Sequence, residues 1–64
     1  MTGTVKFFNE AKGFGFITND DTGKEIFVHI SNLNGLALNE GDNVSYVEEE
    51  GRKGMVAAQI QIIE

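Results

Sequence analysis

Apolar and polar residues alternate in short runs along this chain, and Gly, Asn and Asp break the runs about every ten residues. A period of two punctuated by turn chemistry predicts short β-strands. The first is predicted over Thr4 to Asn9, the second over Phe14 to Thr18, and the third over IFVHI, residues 26 to 30. NDDTG, residues 19 to 23, reads as the hairpin turn between the last two, with Asp and Gly supplying turn hydrogen bonds and a positive φ. SNLNGLALNEGD, residues 31 to 42, is a longer connection that can hold one helical turn, with Ser31 as its cap. A fourth strand is predicted over Asn43 to Glu49. EGRKG, residues 50 to 54, then turns into a last strand, Met55 to Ile63, where Val56, Ala58, Ile60 and Ile62 alternate with Ala57, Gln59 and Gln61. No stretch has the periodicity of an amphipathic helix, and there is no linker, repeat or low-complexity tract.

At 64 residues the chain makes a single domain, residues 1–64, able to bury one small core. Five short antiparallel strands must close, or nearly close, to hide their edges, and the economical answer is an all-β, five-stranded antiparallel Greek-key barrel of the OB type. KGFGFI, residues 12 to 17, then poses a question of faces: Phe14 and Phe16 point one way, Gly13, Gly15 and Ile17 the other. In the third strand Phe27 and His29 share a face, opposite Ile26, Val28 and Ile30. The first strand offers Val5 as well as Phe7 and Phe8. One core cannot take both sets in so short a chain. The compact aliphatics Val5, Ile17, Ile26, Val28, Val44, Val56 and Ile60 suit the narrow interior. Phe14, Phe16, Phe27 and at least one of Phe7 and Phe8 are left outside. Phe8 can go either way, since a bulge near the strand end would turn it inward. The outer rings are either a binding face or are covered, by the 31–42 connection or by a second copy of the chain.

Composition narrows what such a face would meet. The net charge is −5, which argues against a partner captured mainly by charge, such as duplex DNA or an anionic membrane. The acidity is uneven: residues 1–31 hold three lysines against four carboxylates, and residues 32–64 hold Arg52 and Lys53 against six. The aromatic half is the less acidic one. Nucleobases have flat π-faces, and stacking one on an aromatic side chain contributes about 1–3 kcal/mol. Residues two apart in a strand lie about 7 Å apart, whereas stacked bases rise about 3.4 Å each, so Phe14 and Phe16 can each take a base only if the bases are splayed. The face should therefore select single strands. Lys6, Lys12 and Lys24 can flank it and meet phosphates, although each lysine taken singly reads equally well as a solvated charge. Gly13 and Gly15 either keep bulk away from the rings or mark a bend.

Other chemistries find little support. There is no Cys and a single His, which falls short of a zinc ligand set, and the lack of Cys suits a reducing compartment. No apolar run nears the roughly 18 residues a membrane helix needs, and MTGTVKFFNEAKG lacks a signal pattern, so a soluble cytoplasmic protein is expected. His29 has no nucleophile or acidic partner nearby in sequence and is expected to stack on and hydrogen-bond to a base. Glu48 to Glu50 is an ordinary solvated run whose members alternate faces. No enzyme activity, cofactor, metal or small-molecule substrate is implied.

GTVKFFN (3–9), KGFGFI (12–17) and IFVHIS (26–31) closely resemble the bacterial cold-shock proteins, the last two being that family's ribonucleoprotein-type motifs. The likeness extends through EGD (40–42), EGRKG and VAAQI (56–60), and so over essentially the whole chain. KGFGF alone also fits an RRM motif, but an RRM needs two helices that this chain lacks. The resemblance implies an OB-type barrel that binds single-stranded RNA and DNA with little sequence preference, as an RNA chaperone. It places base-stacking residues at Phe7, Phe14, Phe16, Phe27, His29 and Ile30, with Lys6, Phe8 and Lys12 at or beside the surface and Lys53 a further candidate. Three departures stand out: Phe7 where the family usually has Trp, Ile30 where Phe is common, and no aromatic in residues 32–42. They imply weaker binding than in a typical member, which nanomolar affinity for a generic oligopyrimidine at physiological salt would contradict. The competing reading is a small barrel module that takes a peptide, for instance a proline-rich one, on the same aromatic face. A monomer is expected, and the turn-rich 31–42 connection leaves a swapped dimer open.

Overall fold

The computed structural model describes residues 1–33, 35–51 and 54–63. They form β1 (Thr2–Asn9), β2 (Phe14–Asn19), β3 (Glu25–His29), β4 (Asn43–Gly51) and β5 (Gly54–Ile62), with a 3₁₀ turn over Ile30–Asn32. The strands close into a barrel in the order β1-β2-β3-β5-β4. The 30–42 connection carries the chain across the barrel so that β4 pairs with β1, and β5 returns between β4 and β3. That return makes β3 and β5 parallel, in register at Phe27 and Val56. The expected five-stranded barrel is found, antiparallel at its other four pairings, and the one parallel seam has a reason of parity. Directions cannot alternate around a ring with an odd number of strands, so a closed barrel of five must hold a parallel pair.

Both hairpin turns of the β1–β2–β3 meander, one at each end of β2, are held by asparagine. Asn19 accepts from the backbone N–H of Asp21 at 2.8 Å and of Thr22 at 3.0 Å, and Gly23 turns at φ 73°. Asn9 accepts from the Lys12 N–H through its side chain at 3.1 Å, and from the Gly13 N–H through its carbonyl at 2.8 Å. β1 starts at Thr2 rather than Thr4, because Thr2 and Gly3 pair with Ser45 and Val44 of β4. β3 ends at His29, one residue short of the predicted Ile30. The helical turn therefore begins at Ile30, and its cap is His29 rather than Ser31: the His29 ring accepts from the Ser31 N–H.

Six of the seven expected core aliphatics, Val5, Ile17, Ile26, Val28, Val44 and Ile60, are buried. Leu33 and Leu38 of the connection join them, as do Tyr46, Ala57 and Ala58. Tyr46 accepts a buried hydrogen bond of 2.8 Å from the Asn19 amide, so its hydroxyl enters the core with a partner. Val56 is the exception, being only half-buried. Between Ala58 and Gln61, β5 carries one residue more than β4 does between Val47 and Ser45, and Gln59 there has φ 50°. The extra residue reverses the in–out alternation, so Ala57 faces the core and Val56 does not.

A second bulge shapes the functional face. On β1 the register steps from Val5–Ile17 directly to Phe7–Phe16, leaving Lys6 as the extra residue. Val5 and Phe7 are two apart and would share a face in a regular strand. The bulge instead buries Val5, exposes Phe7 and turns Phe8 against the core.

Candidate nucleic-acid interface

The register of β1, β2 and β3 lines the phenylalanines up across the barrel wall. Phe7 faces Phe16, Phe16 faces Phe27, and Phe14 faces His29 one step along. Phe16 sits at the centre, with ring centroids 5.5 Å from Phe7, 5.8 Å from Phe27 and 6.5 Å from Phe14. Phe14 and Phe27 are 5.9 Å apart with planes inclined by only 21°. The His29 ring is 6.4 Å from that of Phe27. Phe7 is 37% exposed, Phe14, Phe16 and Phe27 are half-buried, and His29 is exposed. Each ring is thus braced by its neighbours at favourable aromatic distances while part of its surface meets solvent.

The two glycines between these rings do different jobs. Gly15 lies in the barrel wall where β1 comes closest: a Cβ there would sit 2.3 Å from the Phe7 carbonyl oxygen and 2.8 Å from Phe8 Cα. Only glycine lets β1 and β2 pair at the bulge. Gly13 has φ 74°, a left-handed conformation that closes the β1–β2 turn, and its carbonyl accepts from the Ile30 N–H at 2.8 Å. The ring motif is thereby tied to the 3₁₀ turn.

At the rim, His29 Nδ1 accepts from the Ser31 N–H at 3.2 Å and lies 2.9 Å from the Ser31 hydroxyl. Accepting at Nδ1 places the proton of the neutral ring on Nε2, which leaves that N–H as a donor. Lys6 projects from the bulge and its ammonium pairs with the Glu25 carboxylate of β3. Lys12 is exposed at the β1–β2 turn. A hollow of about 570 Å³, lined in part by Met1, Asn19, Lys24, Glu25, Glu48 and Met55, reaches only the Glu25 end of the β3 face, and none of the five rings lines it. The rings form a face, not a pocket. No helix among the described residues is long and apolar enough to cross a membrane.

Residues 1–63 match the family described as the 'Cold-shock' DNA-binding domain. The chain is 51% identical over 63 residues to the cold shock-like protein CspA of Vibrio cholerae, covering 94% of this chain and 90% of that protein. It is 47% identical over 66 residues to the major cold shock protein CspA of Pseudomonas aeruginosa, covering 98% and 94%. It is also 46% identical over 63 residues to the cold shock protein CspV of V. cholerae, covering 94% and 90%. The chain belongs to the cold-shock domain family.

This cold-shock domain brings Phe7, Phe14, Phe16, Phe27 and His29 onto one face. Ile30 is 46% exposed at the start of the 3₁₀ turn, beside that face. Phe8 is not among the rings: it packs against the core and lines a groove with Ile30, Leu33 and Leu36. Lys6 is held by Glu25 rather than standing free. Lys53 lies outside the described residues. Two neighbours of the face escaped the sequence reading. Val56 continues the row beyond Phe27, a position hidden by the β5 bulge. Glu25 shares the outer face of β3 with Phe27 and His29, which the period of two does signal.

Proposed function

We propose that this cold-shock domain binds single-stranded RNA and DNA by stacking unpaired bases on Phe7, Phe14, Phe16, Phe27 and His29. Ile30 adds an apolar contact, and Lys12, with Lys6 and Lys53, meets phosphates. In a cell it would act as a cytoplasmic RNA chaperone with little sequence preference and without catalysis. Family membership supports nucleic-acid binding as the general activity. The observation that carries the single-strand reading is the spacing of the rings, whose centroids lie 5.5 to 6.5 Å apart. Bases in a duplex rise about 3.4 Å, so stacking on successive rings requires bases drawn apart. Stacking reads π-faces that all bases share, which accounts for low sequence preference, and it contributes about 1–3 kcal/mol per base even where the protein is acidic.

The test is a titration with heptathymidylate and, separately, with a stable hairpin duplex, followed through amide and aromatic NMR shifts. Binding of the single strand alone, with Phe14, Phe16, Phe27 and His29 moving together, is the expected result. If neither nucleic acid binds, or the duplex binds as well as the single strand, the reading fails. Displacement of a bound proline-rich peptide by the oligonucleotide would place both ligands on the same face, and peptide binding without nucleic-acid binding would leave the peptide module in its place.

A further inference from the structure

We infer that Glu25 is a specificity-determining residue of the ring face: as internal counter-ion to Lys6, it limits how much of the binding charge carries and leaves selection to the stacked bases. The inference rests on the single-strand reading above. Glu25, Phe27 and His29 alternate along β3 and share its outer face, so a carboxylate stands on the surface a nucleic acid would cover. The bulge sends Lys6 toward the same place, and its ammonium is paired with that carboxylate. Both side chains are well exposed, at 56% and 39%, so the pair is a loose one that a phosphate can compete with.

Two effects follow, and they have the same sign. A phosphate that takes Lys6 must displace Glu25, so part of the attraction is already spent in the free protein. Once displaced, Glu25 stays within about a Debye length of the bound backbone and repels it. Salt weakens the internal pair and the repulsion along with the phosphate contact. The affinity of the wild type should therefore fall with salt less steeply than its lysine contacts alone would dictate. A duplex presents one charge per about 1.7 Å of axis and meets the carboxylate with more phosphates in range than a splayed single strand does. Glu25 thus works against duplexes more than against single strands.

The experiment uses the full chain with Glu25→Gln, which keeps the shape and removes the charge, alongside Lys6→Met and the double variant. Affinity for heptathymidylate and for a hairpin duplex is measured from about 25 to 300 mM salt, a range over which phosphate contacts show clearly. Thermal unfolding checks the fold of each variant. Glu25→Gln is expected to bind the single strand about two- to five-fold tighter at low salt, the size expected of one solvent-exposed charge pair. Its plot of log K against log salt should steepen by up to about 0.7, one phosphate's share. The duplex should gain by a larger factor, and the double variant should lose most of the gain. Weaker binding by Glu25→Gln, an unchanged slope, or a gain that survives intact without Lys6 overturns the inference. Absence of single-strand binding by the wild type overturns the reading beneath it instead, so the two failures are distinguishable.

Discussion

Gly15→Ala should do more damage than any other single methyl added to the ring motif. The new Cβ would lie 2.3 Å from the Phe7 carbonyl oxygen, 2.7 Å from Phe8 Cδ1 and 2.8 Å from Phe8 Cα. Two of these three atoms are backbone, so no change of rotamer relieves the contact. β1 and β2 must part toward an ordinary separation of about 3.5 Å. They would do so where Phe7 pairs with Phe16 and Phe8 with Gly15. Overpacking a tight site costs about 1–3 kcal/mol, and more where backbone must move, so about 3 kcal/mol is the expected loss. A domain of this size holds roughly 3–10 kcal/mol in total, so the variant should lose from about a third of its stability to all of it. Gly13→Ala is the control within the same motif. Its Cβ meets only the Ile30 side chain, Cγ2 at 3.0 Å and Cβ at 3.6 Å, and the cost comes chiefly from φ 74°. That is about 1–2 kcal/mol for a left-handed alanine. Urea titrations followed by far-UV circular dichroism give both values, and heptathymidylate affinity corrected for the folded fraction shows whether the rings have moved. Gly15→Ala should bind more weakly per folded molecule, because its distortion lies between Phe7 and Phe16. A cost at Gly15 no larger than at Gly13 would refute this account. So would full rescue by adding Phe8→Ala, since trimming that side chain leaves the backbone clash in place.

Phe14→Ala should weaken heptathymidylate binding about five- to hundred-fold, the loss of one stack, and fluorescence-anisotropy titration showing less than two-fold would remove Phe14 from the face. Ile30→Phe should tighten binding by up to about ten-fold in the same assay, because Ile30 is 46% exposed beside the rings and a ring there adds a stack. Unchanged affinity would put the strand's path elsewhere. Tyr46→Phe should cost about 1–2 kcal/mol by leaving the buried Asn19 amide without its partner, and should lower the melting temperature by about 4–8 °C per kcal/mol while affinity stays the same. An unaltered melting temperature would mean that the amide finds another acceptor.

The outward set Phe14, Phe16 and Phe27 was legible from the sequence for a reason of volume rather than of period. A barrel of five short strands has room inside for Val5, Ile17, Ile26, Val28 and Val44, and three or four phenylalanines more would overfill it. The period of two served only between bulges. On β1 it reads straight through Lys6 and would put Phe7 on the side of Val5, so the chain alone leaves Phe7 and Phe8 interchangeable. On β5 it reads through Gln59 and assigns Val56 to the core, whereas the reversed alternation sets it beside Phe27. A bulge adds one residue to one strand, and the need for it arises from how the partner strand is placed, which no local pattern records. The same holds for Tyr46 with Asn19 and for Lys6 with Glu25, pairs brought together by the tertiary fold across 27 and 19 residues of chain. Both bulges act on the row that runs Phe7, Phe16, Phe27, Val56, one at each end. The bulges that defeat the periodic reading are therefore the devices that extend the face from its two central rings to the strands on either side.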